Sequence, residues 1–166
     1  MIGHTKVTDL SQSTRLDLPG VYNMRDIGGY ATKDGRLTRR RTLVRSDNLN
    51  QLSTASQQSL INYGIRTVID VRTIRETLDE SDVFAGSSKV SYYHYDMMGD
   101  RVSDDTPKDL VRAERIAFAY SQILDHRQSS IGEILKRLAT PEVLPAIYHC
   151  VGGQDRTGII SALLLG

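Results

Sequence analysis

Two short, mostly apolar runs, at residues 67–71 and 145–148, predict buried strands. Each run is bounded by polar or charged residues, and each is rich in β-branched or aromatic side chains. Runs of this kind are typical of parallel strands that helices cover on both faces. Residues 42–45 and 90–95 are shorter candidates for strands of the same sheet.

The segments between these strands carry helical patterns. Residues 52–63 predict a helix that is opened by Ser53, or by Thr54 with Gln57 as a capping box, and is closed by Gly64. Residues 109–125 repeat apolar side chains at helical spacing. Alternation of such helices with strands predicts an α/β fold with a central, mostly parallel sheet flanked by helices.

Two further local signals complete this pattern. Asp34-Gly35, between residues 30–32 and 36–38, predicts a tight hairpin. A last helix before the second apolar run is expected to start near Ser130, with Glu133 as its capping partner, and to stop before Pro141. The 166 residues suit one domain, which we place at 17–166, after a polar and loosely ordered segment at 1–16.

The charge balance argues against polyanionic partners. There are 21 Lys and Arg against 20 Asp and Glu, which gives a net charge of +1. Such a chain has no broad field to attract nucleic acid or an anionic membrane, so neither is expected as a partner. Residues 39–41, a tight basic cluster, are interpreted as a solvated strand end.

The single cysteine, Cys150, excludes a disulfide within the chain and suits a reducing compartment. No apolar stretch approaches the roughly eighteen residues of a membrane span, and the first seventeen residues lack a signal-peptide pattern. We therefore expect a cytoplasmic protein.

Residues 149–158, His-Cys-Val-Gly-Gly-Gln-Asp-Arg-Thr-Gly, carry the strongest chemical signal. The five residues between Cys150 and Arg156 allow the backbone to curl so that successive N–H groups surround one tetrahedral oxyanion. The apolar run at 159–165 predicts a helix whose N-terminus favours the same anion. We predict a phosphate-binding loop with Cys150 as its nucleophile, formed by Val151, Gly152, Gly153, Gln154, Asp155 and Arg156.

Roles follow from the chemistry of the side chains in this loop. Arg156 offers a charged planar fork that can hold two phosphate oxygens. Asp155 is the nearest carboxyl that could protonate the leaving oxygen and later activate water, although an acid beside an arginine can also be a plain ion-pair partner. Thr157 could donate its hydroxyl to the sulfur, and His149 could fix the loop by bonding backbone groups.

The neighbouring strand ends supply alternatives. Asp70 and Arg72 are expected at the rim of the site, where we interpret Asp70 as the partner of an arginine rather than as a catalytic group. An acid on a separate loop is the competitor to Asp155, and the candidates are Asp96, Asp100, Asp104 and Asp105.

Residues 149–156 match the signature loop of the cysteine-dependent protein tyrosine phosphatases. Residues 23–30, 43–46 and 64–72 further resemble the bacterial members of that superfamily whose loop has the sequence His-Cys-x-x-Gly-Lys-Asp-Arg-Thr-Gly. The resemblance covers residues 17–166. It implies hydrolysis of phosphotyrosine in proteins, often with phosphoserine, phosphothreonine or phosphoinositides, through a phosphocysteine intermediate and without a metal or other cofactor. In that family the loop aspartate, here Asp155, is the proposed general acid.

Two departures from the family pattern alter these expectations. Gln154 replaces the lysine of the family loop, which removes a charge that highly phosphorylated lipid headgroups would need and so disfavours phosphoinositides. The last helix ends at Gly166 where family members continue, so we expect the C-terminal helices to be missing.

Rival functions also use a cysteine in an anion loop. A phosphoinositide phosphatase and a non-catalytic phosphate-binding module both remain open. Arsenate reduction generally needs further cysteines, and sulfur transfer explains the Arg156-Thr157-Gly158 ending less well.

Overall fold

The structure is a computed structural model and describes residues 14–99, 107, 109 and 111–166. Five strands form one sheet in the order β1-β2-β5-β3-β4. β1 pairs antiparallel with β2, and the other pairs are parallel. The strands are β1 (Arg25–Asp26), β2 (Leu43–Ser46), β3 (Thr67–Asp70), β4 (Ser91–His94) and β5 (Ala146–His149).

Helices cover both faces of this sheet, as the sequence predicts. They are α1 (Thr54–Tyr63), α2 (Ile74–Asp79), α3 (Arg112–His126), α4 (Gln128–Leu138) and α5 (Asp155–Leu165), with a 3-10 turn at Pro141–Val143. Val68 and Ile147 pack with Leu60 of α1 on one face. Ile69 and Tyr148 pack on the other face against apolar residues of α3, α4 and α5. The predicted α/β fold with a mostly parallel sheet is therefore confirmed.

Local signals place most element ends well. Ser53 Oγ accepts from Ser56 N at 3.1 Å and caps α1, so Thr54 is the first helical residue rather than the cap. Gly64 closes this helix with a φ of 111°, a left-handed conformation that glycine adopts without strain. The predicted hairpin at Asp34-Gly35 is present, with Thr32 N donating to Arg36 O at 2.8 Å.

The start of α4 is a correction. Helix α3 ends at His126 and α4 begins at Gln128, with only Arg127 between them. Ser130 therefore lies inside α4 and does not cap it. Two elements, β1 and α2, are absent from the sequence-based prediction. β1 has only two polar residues, and α2 has no buried residue to mark a face.

The N-terminal boundary lies close to β1. Asp26 N donates to Thr14 O at 2.7 Å, and Leu16 N donates to Met24 O at 3.1 Å. Residues 1–13 are outside the described residues, and the division of the chain at residue 17 stays a prediction. Within the described ranges, no helix is long and apolar enough to cross a membrane.

β5 occupies the middle of the sheet, between β2 and β3. Its last residue, His149, is in register with Ser46 of β2 and Asp70 of β3. Because the carboxyl ends of parallel strands share one edge of a sheet, the loop that follows His149 emerges at the edge where α/β folds bind ligands.

Candidate active site

Cys150 lies at the floor of the loop between β5 and α5. Its side chain is buried, with 3% of the residue exposed. Thr157, on the first turn of α5, donates its hydroxyl to Cys150 Sγ at 3.1 Å. A hydroxyl at this distance stabilises negative charge on sulfur, whether the thiolate is attacking or leaving.

The loop carbonyls are turned outward and held there. Asn23 Nδ2 donates to Gly152 O and to Gly153 O, both at 3.0 Å, and Arg45 Nη2 donates to Gly153 O at 2.6 Å. In a trans peptide the next N–H points the opposite way from the carbonyl. The amides of Val151, Gly152, Gly153 and Gln154 find no acceptor among the described residues. They form a set of donors without a protein acceptor, which suits them to bind an oxyanion.

Gly153 is required by this curl of the backbone. Its φ is +63°, and a Cβ there would lie 2.6 Å from Ser46 O. No side chain can be accommodated unless the loop shifts away from β2.

Glu76 of α2 orients Arg156. Arg156 Nη1 donates to Glu76 Oε2 at 2.6 Å, and Nη2 donates to Oε1 at 3.0 Å. The same carboxylate accepts from Thr73 N and completes the capping box of α2. The Arg156 bonds lower the pKa of Glu76 to about 2. Burial opposes the charge of Arg156, but Glu76 and Cys150 outweigh this effect and raise its pKa.

Asp155 is the first residue of α5 and is exposed. Its Oδ1 accepts a hydrogen bond from the Tyr120 hydroxyl of α3. This bond, together with burial, raises the pKa of Tyr120 to about 12, so the phenol is a donor throughout the working range of pH.

A cavity of about 420 Å³ opens beside Asp155 and Arg156. One wall is polar and is formed by these two residues with Thr73 and Glu76. The other wall consists of Tyr120 and apolar side chains, namely Met98, Ile116, Ala119 and Ile123. The space therefore combines phosphate-binding groups with a surface suited to an aromatic ring.

Asp70 and Arg72 do not form the rim, which corrects the sequence-based expectation for both. Their side chains are fully buried and pair at 2.7 Å, and Arg72 Nη1 also donates to Glu80 O at 2.7 Å. The interpretation of Asp70 as an arginine's partner matches this geometry. Burial opposes ionisation, but His149 and Arg72 outweigh it and lower the pKa of Asp70.

His149 is part of the same buried charge cluster, behind the loop. Its Nδ1 lies 3.1 Å from Cys150 O, and its Nε2 lies 3.1 Å from Asp82 Oδ2. The Cys150 carbonyl only accepts, so Nδ1 carries a proton and donates to it, and a second proton on Nε2 would give the imidazolium its charge. Burial opposes this charge, but Asp82 and Asp70 overcome it and raise the pKa of His149.

In the described chain, Asp70, Asp82 and His149 are the residues whose potential metal ligands converge, within 4.8 Å of one another. Arg72 already bonds both Asp70 oxygens. The positive charge of Arg72 therefore balances the negative charge of these carboxylates, as a bound metal ion would do in a metal site.

Of the alternative acids, only Asp96 is among the described residues; Asp100, Asp104 and Asp105 lie outside them. The oxygens of Asp96 accept from three backbone amides, those of Ile74, Met98 and Gly99. These bonds tie Asp96 to its own turn and to the start of α2.

Several site residues were missed at the level of sequence. The capping-box pattern from Thr73 to Glu76 could have revealed α2 and, with it, Glu76. Tyr120 belongs to the helical pattern at residues 109–125, which predicts a helix but gives no sign of a role in the site. Asn23, Arg45 and Asp82 have no local signal, because their roles depend on strand pairing and loop packing.

The sheet and the Cys150 loop together define an α/β phosphatase-like fold. The model of the tyrosine phosphatase family matches residues 16–166, and the chain belongs to this family.

Two relatives support this assignment. The chain is 31% identical to a tyrosine-protein phosphatase of Nostoc commune over 122 residues, which are 74% of this chain and 42% of the relative. It is 27% identical to the triple specificity protein phosphatase PtpB of Mycobacterium tuberculosis over an alignment of 177 positions, covering 90% of this chain and 62% of that protein. The chain thus spans about half the length of these relatives.

Proposed function

We propose that this protein hydrolyses phosphomonoesters, acting on phosphotyrosine in proteins and also on phosphoserine and phosphothreonine, through a phosphocysteine formed on Cys150. The observation that carries the proposal is the arrangement around Cys150 Sγ. A hydroxyl donor lies at 3.1 Å from the sulfur, the loop amides are free, and an oriented arginine follows at the start of α5.

In the first step, Cys150 Sγ attacks phosphorus in line with the leaving oxygen. The loop amides bind the phosphoryl oxygens, and so does Arg156, whose five N–H donors are not exhausted by the two bonds to Glu76. Donors placed in advance stabilise the charge that develops on these oxygens. As the P–O bond breaks, Asp155 gives its proton to the leaving oxygen and becomes a carboxylate.

In the second step, the Asp155 carboxylate takes a proton from water, whose oxygen attacks phosphorus. The S–P bond breaks, inorganic phosphate leaves, and the electron pair returns to Cys150. The Thr157 hydroxyl stabilises the departing thiolate. His149 and the residues that clamp the loop carbonyls act as supports behind this chemistry.

Phosphotyrosine is the substrate that fits the surroundings best. The apolar wall of the cavity contacts a ring and adds affinity that an alkyl phosphate does not gain. Gln154 is exposed and uncharged at the rim, which favours a monophosphate over a phosphoinositide headgroup. The partner is accordingly a phosphorylated protein, with neither nucleic acid nor a stable membrane contact.

A cytoplasmic setting belongs to the same proposal. The nucleophile works as a free thiol, which reducing compartments maintain. A metal or other cofactor takes no part in the mechanism.

The test is hydrolysis of p-nitrophenyl phosphate by the full chain under reducing conditions, alongside Cys150→Ser and Asp155→Asn. We expect Cys150→Ser to abolish turnover and orthovanadate to inhibit the wild type competitively. Asp155→Asn should slow hydrolysis of phenyl phosphate about 100-fold or more. A folded wild-type protein that binds phosphate without turnover would instead be a binding module. Equal rates for wild type and Asp155→Asn on phenyl phosphate would transfer the acid role to residues 96–105.

A further inference from the structure

The contact between Tyr120 and Asp155 joins two elements that are far apart in sequence. The two residues are separated by 35 positions, one on α3 and the other at the start of α5. Among the hydrogen bonds of the described residues, Tyr120 is the side chain that bonds the Asp155 carboxylate. This residue is not explained by the loop motif or by the two-step chemistry above.

Packing fixes the ring that carries this hydroxyl. Tyr120 packs against the core cluster that contains Ile123 and Ile159. Ile123 is the buried anchor of α3 and lies one turn after Tyr120. The phenol oxygen therefore reaches Asp155 from a helix that is anchored in the core one turn away, at Ile123.

We propose that Tyr120 is a positioning residue for proton transfer: it fixes the Asp155 carboxyl through Oδ1 and stabilises the carboxylate that forms when the leaving oxygen takes the proton. The inference rests on the proposed function, because it assigns Asp155 as the general acid.

The physical reason is the change in strength of one hydrogen bond during the reaction. A phenol donates weakly to a neutral carboxyl and more strongly to a carboxylate. With Oδ1 bonded to Tyr120, Oδ2 is left to carry the proton to the leaving oxygen. As that proton departs, the hydrogen bond from Tyr120 to Asp155 strengthens. The bond therefore stabilises the transition state more than the enzyme–substrate complex and lowers the barrier between them. The raised pKa of Tyr120 agrees with a donor that faces a carboxylate.

The consequence is a selective dependence on the leaving group. A phenol that is itself acidic departs without help, and the Asp155 proton contributes little. A weakly acidic phenol needs the proton. Loss of the Tyr120 hydroxyl should therefore slow poor leaving groups by roughly 10- to 100-fold and leave good ones almost unaffected.

The experiment compares wild type with Tyr120→Phe, which keeps the ring and removes only the hydroxyl. The substrates are aryl phosphates from p-nitrophenyl to phenyl phosphate, with kcat and KM measured for each. The matched control is Tyr63→Phe. Tyr63 also donates to a carboxylate, Asp26 Oδ2 at 2.7 Å, and neither residue lines the cavity beside Asp155 and Arg156.

We expect Tyr120→Phe to steepen the dependence of kcat on leaving-group acidity, with KM little changed, and Tyr63→Phe to follow the wild-type dependence. In an Asp155→Asn background, Tyr120→Phe should have no further effect, because the two residues act as one unit. A uniform loss across the series, no loss at all, or additive effects in the double variant would each overturn the inference.

The outcomes separate this inference from the proposed function. If hydrolysis depends on Cys150 but Tyr120→Phe lowers kcat equally for all leaving groups, the phosphatase mechanism stands and only the role of Tyr120 is excluded. Absence of Cys150-dependent hydrolysis by the wild type overturns both.

Discussion

Glu76 and Arg156 form a two-point ion pair across 80 residues of sequence, at 2.6 and 3.0 Å. The pair links the capping box of α2 to the first turn of α5. The arginine that is expected to bind phosphate is thus aimed by a carboxylate outside the loop motif. Glu76 stays ionised far into the acid range, because Arg156 lowers its pKa to about 2.

Glu76→Gln should weaken substrate capture. The amide retains one acceptor for Arg156 but loses the charge and the two-point geometry, so the guanidinium becomes free to rotate. We expect kcat/KM for an aryl phosphate to fall about tenfold, largely through KM. Asp79→Asn is the matched control, because Asp79 belongs to the same helix but makes only an exposed pair with Arg75 at 3.8 Å. Equal losses in both variants would count against a specific role for Glu76.

The same carboxylate should leave a signature in the pH dependence of stability. Its pKa is about 2 in the folded chain, against an ordinary value of 4.5. A carboxylate whose pKa is lower in the folded chain stabilises the fold at pH values above its pKa in the unfolded chain. This stabilisation disappears as the pH falls through its pKa in the folded chain. The difference in unfolding free energy between wild type and Glu76→Gln should be largest above pH 4.5 and should vanish near pH 2. Urea titrations at several pH values measure it, and a difference independent of pH would contradict the assignment.

Gly153→Ala should disable the site without unfolding the protein. The added methyl would meet Ser46 O at 2.6 Å, and the φ of +63° is strained for alanine. Relief of the clash moves the loop amides, so we expect kcat/KM to fall at least about 100-fold, as misplacement by about 1 Å does elsewhere. Gly132→Ala on α4 is the control, because its Cβ would meet nothing within 4 Å. Retained activity in Gly153→Ala would show that the loop adapts.

The sequence defines the sheet and the loop better than it defines their surroundings. Residues 67–71 and 145–148 were predictable as strands, because burial on both faces leaves an apolar run. Gly64 marked a helix end, because few residues other than glycine tolerate its backbone conformation. By contrast, Arg72 is expected at the rim because loops that leave neighbouring strand ends should form it. The structure buries it, since Asp70 neutralises it from two residues away.

Long-range partnerships account for the rest of what the sequence could not predict. Tyr120 meets Asp155 only because α3 docks beside α5, and no local pattern fixes that approach. Asn23, two residues before β1, and Arg45 of β2 both reach the loop, and this depends on the strand order. The roles assigned to Cys150, Arg156 and Asp155 stay predictions until activity is measured.

Asp82→Asn should destabilise the fold in a pH-dependent way. The pKa of His149 is raised above its ordinary value of 6.5, against the effect of burial, by Asp82 and Asp70. A histidine whose pKa is higher in the folded chain stabilises the fold fully at pH values below its pKa in the unfolded chain. This stabilisation is lost as the pH rises through its pKa in the folded chain. We expect a loss of about 3 kcal/mol below pH 6.5 that shrinks at higher pH. Denaturant unfolding at pH 6 and pH 9 tests this, with the exposed Asp17→Asn as control.

Thr157→Val should slow the second step more than the first. The change keeps the shape of the side chain and removes the hydroxyl that bonds Cys150 Sγ at 3.1 Å. Because that bond stabilises the departing thiolate, phosphocysteine should accumulate, and its hydrolysis should slow by roughly 10- to 100-fold. Rapid-quench kinetics would show a burst of phenol in the variant. Thr157→Ser, which keeps the hydroxyl, should restore the wild-type time course; a burst of equal size in both variants would exclude this role.

The central position of β5 has a thermodynamic consequence for recognition. The strand before Cys150 bonds to partners on both sides, and Asn48 N and Val71 N bond Val151 O and His149 O at 2.9 and 3.0 Å. A segment held in this way has little conformational entropy left to lose when a ligand arrives. The free energy gained by binding the phosphoryl group is then not offset by the cost of ordering the loop, and it can stabilise the transition state.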